Sequence, residues 1–397
     1  MSISRRTLFR NLGAAAIAGV AAPALPGLPI AAAELGLPRN AAPAPRLAST
    51  RSGVTEPILL NLNENPYGPS EKVLAVLRDY SSLGNRYPHT EYDALIDRLA
   101  AIHRVKREQI VLGCGSSEIL YMAVTAFLKT GKKLVQAAPT CSSLGTLAQR
   151  VAVEVTNVPL NKRYEHDLPA MLVRAVSSGP ASIGLVYIVN PNNPTGTITP
   201  RKDIEAFLAE LPANIPVLID EAYHHYVMPS ASYESFLDCP VNDPRVIVSR
   251  TFSKIYGLAG LRIGYAIATP EVVRRLAAGF PGWSVSGISA RAASAALDDV
   301  DYVRFTVKSN TDDRQEFLNQ VNARMLRAID SQTNFLMVNP MRPPYEVVEH
   351  FKKHNILIGP EYPVLERYIR VSLGTPTEMQ EFWRVWDLMP PASTMAM

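Results

Sequence analysis

Short apolar runs alternate with amphipathic stretches from about residue 93 to residue 295, and this alternation constrains the fold more than any other feature. The apolar runs include QIVLG, KKLVQAA, ASIGLVYIVNP, IPVLIDEAY and PRVIVSRTFS. Short strands separated by helices predict an α/β fold, in which a mainly parallel, doubly wound sheet forms a large domain. Ligands of such sheets bind beyond the carboxyl ends of the strands, so polar residues that follow these runs are the candidate site residues.

After Ala295 the pattern changes to longer charged helices and a few strands. This change predicts a second, smaller α+β domain. We expect residues 76–295 to form the large domain and residues 296–397 to form the small one. Residues 34–75 are expected to form an N-terminal arm and part of the small domain.

Residues 1–33 have the three regions of a twin-arginine signal peptide: paired Arg5 and Arg6, the mildly apolar LGAAAIAGVAAPALPGL, and AAA at 31–33. A cytosolic chain with an alanine-rich leader is the alternative. The segment holds three arginines and no acidic residue, so its removal lowers the formal charge from +4 to +1. We expect export to the periplasm, no basic field for nucleic acid, and no membrane span in the mature chain, because no later apolar run reaches about 18 residues.

Metal ligation is not expected from this sequence. Cys114, Cys141 and Cys239 lack the spacing of a metal site and are too few for a disulfide framework. His224 and His225 are adjacent, so they do not share a helix face, and no further Cys, His or Glu completes a ligand set.

Three polar stretches follow apolar runs. GCGSSEILY (113–121) is a glycine-rich turn before a helix, where the N–H groups near Ser116 and Ser117 favour an anion such as phosphate; an ordinary N-cap at Ser116 is the alternative. VNPNNPTG (189–196) holds the Asn193 amide toward the crevice or simply forms a tight turn. Asp220 is the first polar residue after a strand, so its carboxylate needs a cationic or donor partner; a protonated ring nitrogen would serve.

The stretch SRTFSKIYGLAGLRIGY (249–265) places two cations among glycines. An amine at Lys254, desolvated and near other cations, has a lowered pKa and becomes a nucleophile toward carbonyls. Thr251, Ser253 and Arg262 supply the hydroxyls and the guanidinium that bind a phosphate dianion.

NPNNPTG, DEAY and SRTFSKIYGLAGLRIGY, in this order and spacing, resemble the class I/II aminotransferases of fold type I, which bind pyridoxal 5′-phosphate (PLP). LNLNENPYGPS (60–70) and RYPHTEYDALIDRLA (86–100) resemble the histidinol-phosphate aminotransferase branch most. The resemblance covers about residues 58–375. It implies an enzyme that moves an amino group between an α-amino acid and a 2-oxo acid.

The resemblance also implies residue roles. Lys254 would form the aldimine with PLP and shuttle the substrate's proton, and Asp220 would pair with the pyridine nitrogen. Asn193 and Tyr223 would bind the ring's phenolic oxygen. The phosphate would be held by Ser116, Ser117, Thr251, Ser253, Arg262 and, from the partner subunit of a homodimer, Tyr87. On the substrate side, Arg370 would bind the carboxylate, with Asn193 and Tyr67 beside it.

Two positions depart from the family pattern. Cys141 in APTCSSLG stands where an aromatic residue usually stacks on the PLP ring. A thiol opposite Lys254 could act as a second acid/base, so a PLP-dependent racemase, epimerase or β-lyase is the alternative to an aminotransferase. In NILIGPEYP, Ile358 takes the place of the arginine that binds the phosphate of histidinol phosphate, which argues against that substrate.

Overall fold

The structure is a computed structural model that describes residues 56–390, apart from residues 178, 180, 229, 231, 239–242 and 281. The expected signal peptide (1–33), most of the arm and Cys239 lie outside the described residues.

The described strands are β1 (Ile58–Leu60), β2 (Ile110–Gly113), β3 (Lys133–Ala138), β4 (Glu154–Pro159), β5 (Ile183–Val189), β6 (Val217–Asp220), β7 (Val246–Thr251), β8 (Gly264–Ile267), β9 (Arg327–Ala328), β10 (Phe335–Asn339), β11 (Ile356–Ile358) and β12 (Ile369–Ser372). The α-helices are α1 (Glu71–Tyr80), α2 (His89–His103), α3 (Ser116–Phe127), α4 (Ser142–Arg150), α5 (Leu168–Ser177), α6 (Arg201–Glu210), α7 (Pro270–Ala277), α8 (Gly287–Leu297), α9 (Val300–Ala323), α10 (Pro344–Lys353) and α11 (Pro376–Trp386).

A seven-stranded sheet, in the order β2-β8-β7-β6-β5-β3-β4, forms the centre of the chain. Strand β8 is antiparallel to both of its neighbours, β2 and β7. The other strand pairs are parallel. The expected mainly parallel α/β sheet is therefore confirmed.

Helices cover both faces of this sheet, because successive side chains of its strands enter different apolar clusters. In β5, which is buried throughout, Val186 and Ile188 belong to a cluster with helices α1, α2, α5, α6 and α8. Leu185 and Tyr187 belong to a second cluster with α3, α4 and α7. A strand buried on both faces reads as a continuous apolar run, which is the pattern of the sequence here.

The C-terminal part of the chain builds its own apolar cluster. Strand β10 pairs antiparallel with β9 and β12, and β1 pairs parallel with β11. Leu60 of β1 packs with Phe317, Phe351 and Phe382 in a cluster distinct from the two at the large sheet. This separate core supports the expected small domain, although the boundaries given above stay a prediction. Among residues 56–390, no described helix is long and apolar enough to cross a membrane.

Candidate active site

The polar residues singled out in the sequence converge at one edge of the seven-stranded sheet. Parallel strands end at the same edge, so the residues after β2, β5, β6 and β7 are brought together there. Strand β8 runs the opposite way and starts at this edge, which brings in Arg262, two residues before it. The antiparallel strand therefore places the second cation of the lysine stretch beside the first.

Asp220 ends β6 and is 4% exposed. The Tyr187 hydroxyl donates to its Oδ2 at 3.0 Å, and the Ala222 N–H donates to its Oδ1 at 3.1 Å. Burial raises the pKa of Asp220, whereas these hydrogen bonds act in the opposite direction. A buried acid of this kind is stabilised as the carboxylate by a cation, such as a protonated ring nitrogen.

Lys254 lies three residues beyond the end of β7. Its Nζ donates to the backbone oxygens of Leu62 at 3.0 Å and Asn63 at 2.9 Å. Burial and the Arg370 guanidinium together lower the pKa of Lys254 to about 8. More of the amine is therefore neutral near pH 7 than in water, and the neutral amine is the form that attacks a carbonyl.

An anion cradle lies beside this lysine. The Arg262 guanidinium donates to Ser253 Oγ at 3.3 Å and to Ser117 Oγ at 3.5 Å. Gly115, with φ +75°, precedes α3, and a Cβ at this position would collide with the Arg262 guanidinium. Guanidinium, hydroxyls and the first N–H groups of a helix together suit a phosphate dianion.

The alternative interpretation of Ser116 as an ordinary N-cap is wrong. The N-cap of α3 is Gly115, which has no capping side chain, and Ser116 is the first helical residue. Its backbone lies close to Gly264, where a Cβ would come within 2.5 Å of the Ser116 nitrogen. Thr251 ends β7, and its Oγ1 accepts the N–H of Ser253 at 3.1 Å. Apart from Tyr87, the residues expected around a phosphate thus lie together.

Arg370 of β12 faces the sheet edge from the C-terminal part of the chain. It donates to Asn193 Oδ1 at 2.8 Å and to the backbone oxygen of Asn61 at 2.6 Å. Its guanidinium lies 5.6 Å from the ring centres of both Phe335 and Tyr362, and the side chain is buried. A guanidinium has five N–H donors, so these two hydrogen bonds leave a further N–H on each Nη nitrogen for a carboxylate.

Tyr223, 4% exposed, is held on two sides. Its hydroxyl oxygen accepts from Asn63 Nδ2 at 3.0 Å, and its ring packs edge-on against Phe335 with 5.0 Å between centroids. The Lys254 Nζ lies 5.5 Å from the centre of the Tyr223 ring. Lys254, Tyr223, Asn193 and Arg370 therefore form one site, as expected.

Three further residues expected at the site, Cys141, Tyr67 and Tyr87, make contacts of other kinds. Cys141 is the N-cap residue of α4 and lies just after β3, at the same edge of the sheet, and its Sγ donates to Ser143 Oγ at 3.6 Å. The Tyr67 hydroxyl donates to Asp313 Oδ2 at 2.7 Å, and its substrate contact stays a prediction. Tyr87 is 78% exposed and has its ring 6.1 Å from that of Trp283.

Sequence reasoning missed three residues of the site. Tyr187 binds Asp220, yet in the sequence it is one more residue of an apolar strand. Asn63 and Ser372 bind each other and connect to Tyr223. Asn63 lies in the quoted stretch LNLNENPYGPS, but its contacts are with residues distant in sequence, which no local pattern reveals.

The stretch NILIGPEYP also needs a correction. The Ile358 side chain is buried in the C-terminal apolar cluster and does not line the site. The next residue, Gly359, lies against Arg370: a Cβ there would come within 2.7 Å of the Arg370 backbone oxygen. The position that bears on Arg370 is therefore 359.

Within the part of the chain that the structure describes, no three His, Cys, Asp or Glu side chains cluster as a metal site would require. His224 contacts the Tyr233 hydroxyl at 3.2 Å, and His225 contacts the Tyr256 hydroxyl at 3.3 Å. Burial lowers the pKa of both histidines, so both act as neutral packing residues. A groove of about 610 Å³ between α5 and α6 contains none of the site residues. The site is therefore identified by the functional side chains that meet at the sheet edge, and not by this groove.

Comparison with protein families supplies the deciding observation: residues 55–385 match the model for aminotransferase class I and II. The chain belongs to this family. A histidinol-phosphate aminotransferase of Staphylococcus carnosus is 35% identical over 316 residues, which are 80% of this chain and 86% of that protein. Histidinol-phosphate aminotransferase 1 of Nitrosococcus oceani is 34% identical over 382 residues, 96% of this chain and 97% of that one.

A solved structure agrees with this membership. Histidinol-phosphate aminotransferase from Sinorhizobium meliloti, in complex with pyridoxal-5′-phosphate, matches with a TM-score of 0.77 and 27% identity, covering 84% of this chain and 90% of that one. This aminotransferase is therefore a PLP-dependent enzyme of fold type I, and the expected fold, enzyme class and cofactor are confirmed. The comparisons do not favour the racemase or lyase alternative.

The residues present fit PLP. The cradle at Gly115 and Arg262 suits its phosphate, and the buried Asp220 carboxylate suits its ring nitrogen. Tyr223 and Asn193 would reach its phenolic oxygen, and the Lys254 amine its aldehyde.

Proposed function

We propose that this aminotransferase moves an amino group between an α-amino acid and a 2-oxo acid, with Arg370 binding the carboxylate of each in turn. The observation that carries the proposal is the buried guanidinium of Arg370, which donates to Asn193 and to the Asn61 backbone oxygen and has further N–H donors on the same two nitrogens. A planar guanidinium binds a carboxylate with two parallel hydrogen bonds, which orients the substrate's α-carbon as well as holding it.

Asp220, Lys254 and Arg370 have separate roles in the reaction. PLP, when bound, supplies the ring that draws electrons from the substrate's α-carbon. Asp220 keeps a proton on the ring nitrogen, because a buried carboxylate stabilises the adjacent cation. Lys254, with its pKa lowered to about 8, would remove the proton from the α-carbon and pass it to the carbon that was the PLP aldehyde. Arg370 fixes the carboxylate so that the α-carbon proton points toward Lys254.

A second candidate is histidinol phosphate, since relatives with 34–35% identity carry that name. Arg370 could bind a phosphate in place of a carboxylate. Against this substrate, the residue of the 355–363 stretch that lies on Arg370 is Gly359, which brings no second cation.

The test is a substrate panel with the PLP-loaded enzyme. L- and D-amino acids and histidinol phosphate are each offered with and without 2-oxo acids, and both amino transfer and chirality are followed. We expect transfer from an L-amino acid that requires a 2-oxo acid. Arg370→Lys keeps the charge but loses the planar fork, so kcat/KM should fall about 10- to 100-fold. If histidinol phosphate is the one amino donor of the panel that the enzyme turns over, the second candidate is established instead.

We also propose that the enzyme is a homodimer in which Tyr87 reaches the partner's phosphate cradle. The exposed Tyr87 ring supports this: it lies beside Trp283, which also packs against His89, and aromatic surface of this kind is typical of interfaces. Tyr87→Phe should weaken PLP affinity about fivefold, the loss of one hydrogen bond, while light scattering still gives a dimer. A monomer that binds PLP with full affinity would contradict the proposal.

We propose in addition that residues 1–33 direct the folded enzyme to the periplasm through the twin-arginine route. The paired arginines support this address, and that route carries folded proteins, so PLP could be loaded beforehand. Cell fractionation is the measurement: Arg5→Lys with Arg6→Lys should retain the enzyme in the cytoplasm. If the wild type and the double variant are distributed equally between cytoplasm and periplasm, residues 1–33 are not an export signal.

A further inference from the structure

Asn63 has a left-handed backbone, with φ +54°, and is 2% exposed. All four of its polar groups are bonded to other segments. Its N–H donates to Ser372 Oγ at 2.9 Å, and its Oδ1 accepts from the same hydroxyl at 2.9 Å. Its Nδ2 donates to the Tyr223 hydroxyl at 3.0 Å, and its backbone oxygen accepts from Lys254 Nζ at 2.9 Å.

These partners belong to different parts of the site. Ser372 lies two residues beyond Arg370 on β12. Tyr223 follows β6 of the large sheet, and Lys254 follows β7. One asparagine thus connects the strand that carries Arg370 to two of the residues expected to contact PLP, Tyr223 and Lys254.

The direction of the hydrogen bond to Tyr223 has a chemical consequence. A phenol has one proton, and it can also accept at its oxygen. Because Asn63 donates to that oxygen, the tyrosine's own proton stays available for another acceptor. Burial raises the pKa of Tyr223, while the hydrogen bond from Asn63 lowers it, so Asn63 makes the hydroxyl a better donor.

We propose that Asn63 is a positioning residue that aims the Tyr223 hydroxyl at the phenolic oxygen of PLP and ties it to the Arg370 strand. Asn63 acts through Tyr223 and does not itself touch the reacting atoms. The proposal requires only that PLP binds, and is independent of which substrate the enzyme uses.

The readout is the pH midpoint at which the visible absorption band of the PLP-loaded enzyme changes. A hydrogen bond to the phenolic oxygen stabilises the negative charge on that oxygen. The oxygen then attracts the nearby proton on the Lys254 nitrogen less strongly, and the nitrogen loses this proton at a lower pH. A weaker bond from Tyr223 should therefore raise this midpoint. The titratable and charged groups that act on Tyr223 or Lys254 are Asp220, Cys141, Arg370, Arg262 and Glu64, and the variants leave all of them unchanged.

Two variants at position 63 separate the side chain from the backbone. Asn63→Gly removes the amide but tolerates the positive φ. Asn63→Asp keeps the shape but replaces the donor by an acceptor and adds a negative charge, which by itself favours the protonated nitrogen at Lys254, so Asn63→Gly is the deciding variant. Both should raise the midpoint by about 0.5 pH unit or more, since a hydrogen bond contributes about 1 kcal/mol and a pKa unit is about 1.4 kcal/mol. Both should also weaken PLP affinity, measured by equilibrium dialysis.

The matched control is Asn355→Gly, at an exposed asparagine with φ +62° outside the site, and it should leave the midpoint unchanged. Ser372→Ala removes the two hydrogen bonds between Ser372 and Asn63 but keeps the one from Asn63 to Tyr223, so its shift should have the same direction and a smaller size. If both variants at position 63 retain the wild-type midpoint and PLP affinity, the proposal is overturned. A wild-type enzyme without any visible band on loading would instead contradict PLP binding itself.

Discussion

Lys254 combines a low-polarity surrounding with a second cation, and both favour the neutral amine. Burial and Arg370 lower its pKa to about 8, against an ordinary value near 10.4. The neutral fraction of the amine, and with it the rate at which the apoenzyme captures PLP, should therefore rise as the pH increases through about 8. An unperturbed lysine would show this rise two pH units higher.

Lys254→Ala removes the only atom at this position that can form a covalent bond with the PLP aldehyde. We expect the purified variant to lose the visible absorbance of the bound cofactor and its trapping by borohydride. Lys202→Ala, at an exposed position of α6, is the control and should keep both. A borohydride-reducible chromophore in the Lys254→Ala protein would show that another amine holds PLP.

At the scale of the elements, a buried ion pair connects the ends of β6 and β7 directly behind the site. Arg250 Nη2 lies 2.7 Å from Glu221 Oε2, and the two side chains are 4% and 2% exposed. Ser235 Oγ and the Phe236 N–H also donate to the Glu221 carboxylate, at 2.7 and 2.8 Å. The pair fixes the spacing of the strands that carry Asp220 and Lys254.

Glu221→Gln would leave the Arg250 charge buried without a compensating anion. We expect a loss of about 3 kcal/mol or more in the free energy of unfolding, measured with urea. The control, Asp312→Asn, breaks the exposed pair of Lys308 and Asp312 on α9 and should cost less than about 1 kcal/mol. Equal losses in the two variants would mean that the buried pair is hydrated or unimportant.

Much of this architecture follows from sequence pattern, because burial on both faces imposes apolar runs that are easy to find. The direction of a short strand is different: the apolar run of β8 looks like its parallel neighbours, yet the strand is antiparallel and so delivers Arg262 to the site. The role of Asn63 could not be predicted from the sequence either, because it depends on three-dimensional structure. Its role depends on a left-handed backbone and on Ser372, more than 300 residues away along the chain.

At the scale of the whole molecule, several buried or half-buried histidines are neutral. Burial lowers the pKa of His103 and of His166 to about 4, and that of His225 to about 3. His166 has a specific reason to stay neutral: its Nε2 accepts the Val189 N–H at 3.3 Å, and its Nδ1 contacts Thr199 Oγ1 at 3.0 Å. Protonation of Nε2 would break the bond to strand β5.

The sign of the resulting pH dependence follows from proton linkage. In the unfolded chain these histidines titrate near 6.5, whereas in the folded chain they bind a proton only near pH 4 or below. Between those values the unfolded state holds more protons, so the free energy of unfolding falls as the pH falls. The stabilisation is complete above about pH 6.5 and is lost progressively toward pH 4, by about 1.4 kcal/mol per pH unit for each fully responding histidine.

His166→Gln isolates one such contribution, because glutamine can still accept the Val189 N–H but does not titrate. We expect the variant to be less stable than the wild type at pH 7, and to lose about 2 kcal/mol less between pH 6.5 and pH 5. Urea unfolding at a single protein concentration is the measurement, since the proposed subunit association would add a concentration-dependent term. The control is His354→Gln, at an exposed position, and its free energy of unfolding should follow the wild-type pH curve. The carboxylates titrate alike in both variants, so their contribution cancels when the two curves are compared. Parallel curves for His166→Gln and the wild type would mean that His166 takes up its proton without leaving its place against β5.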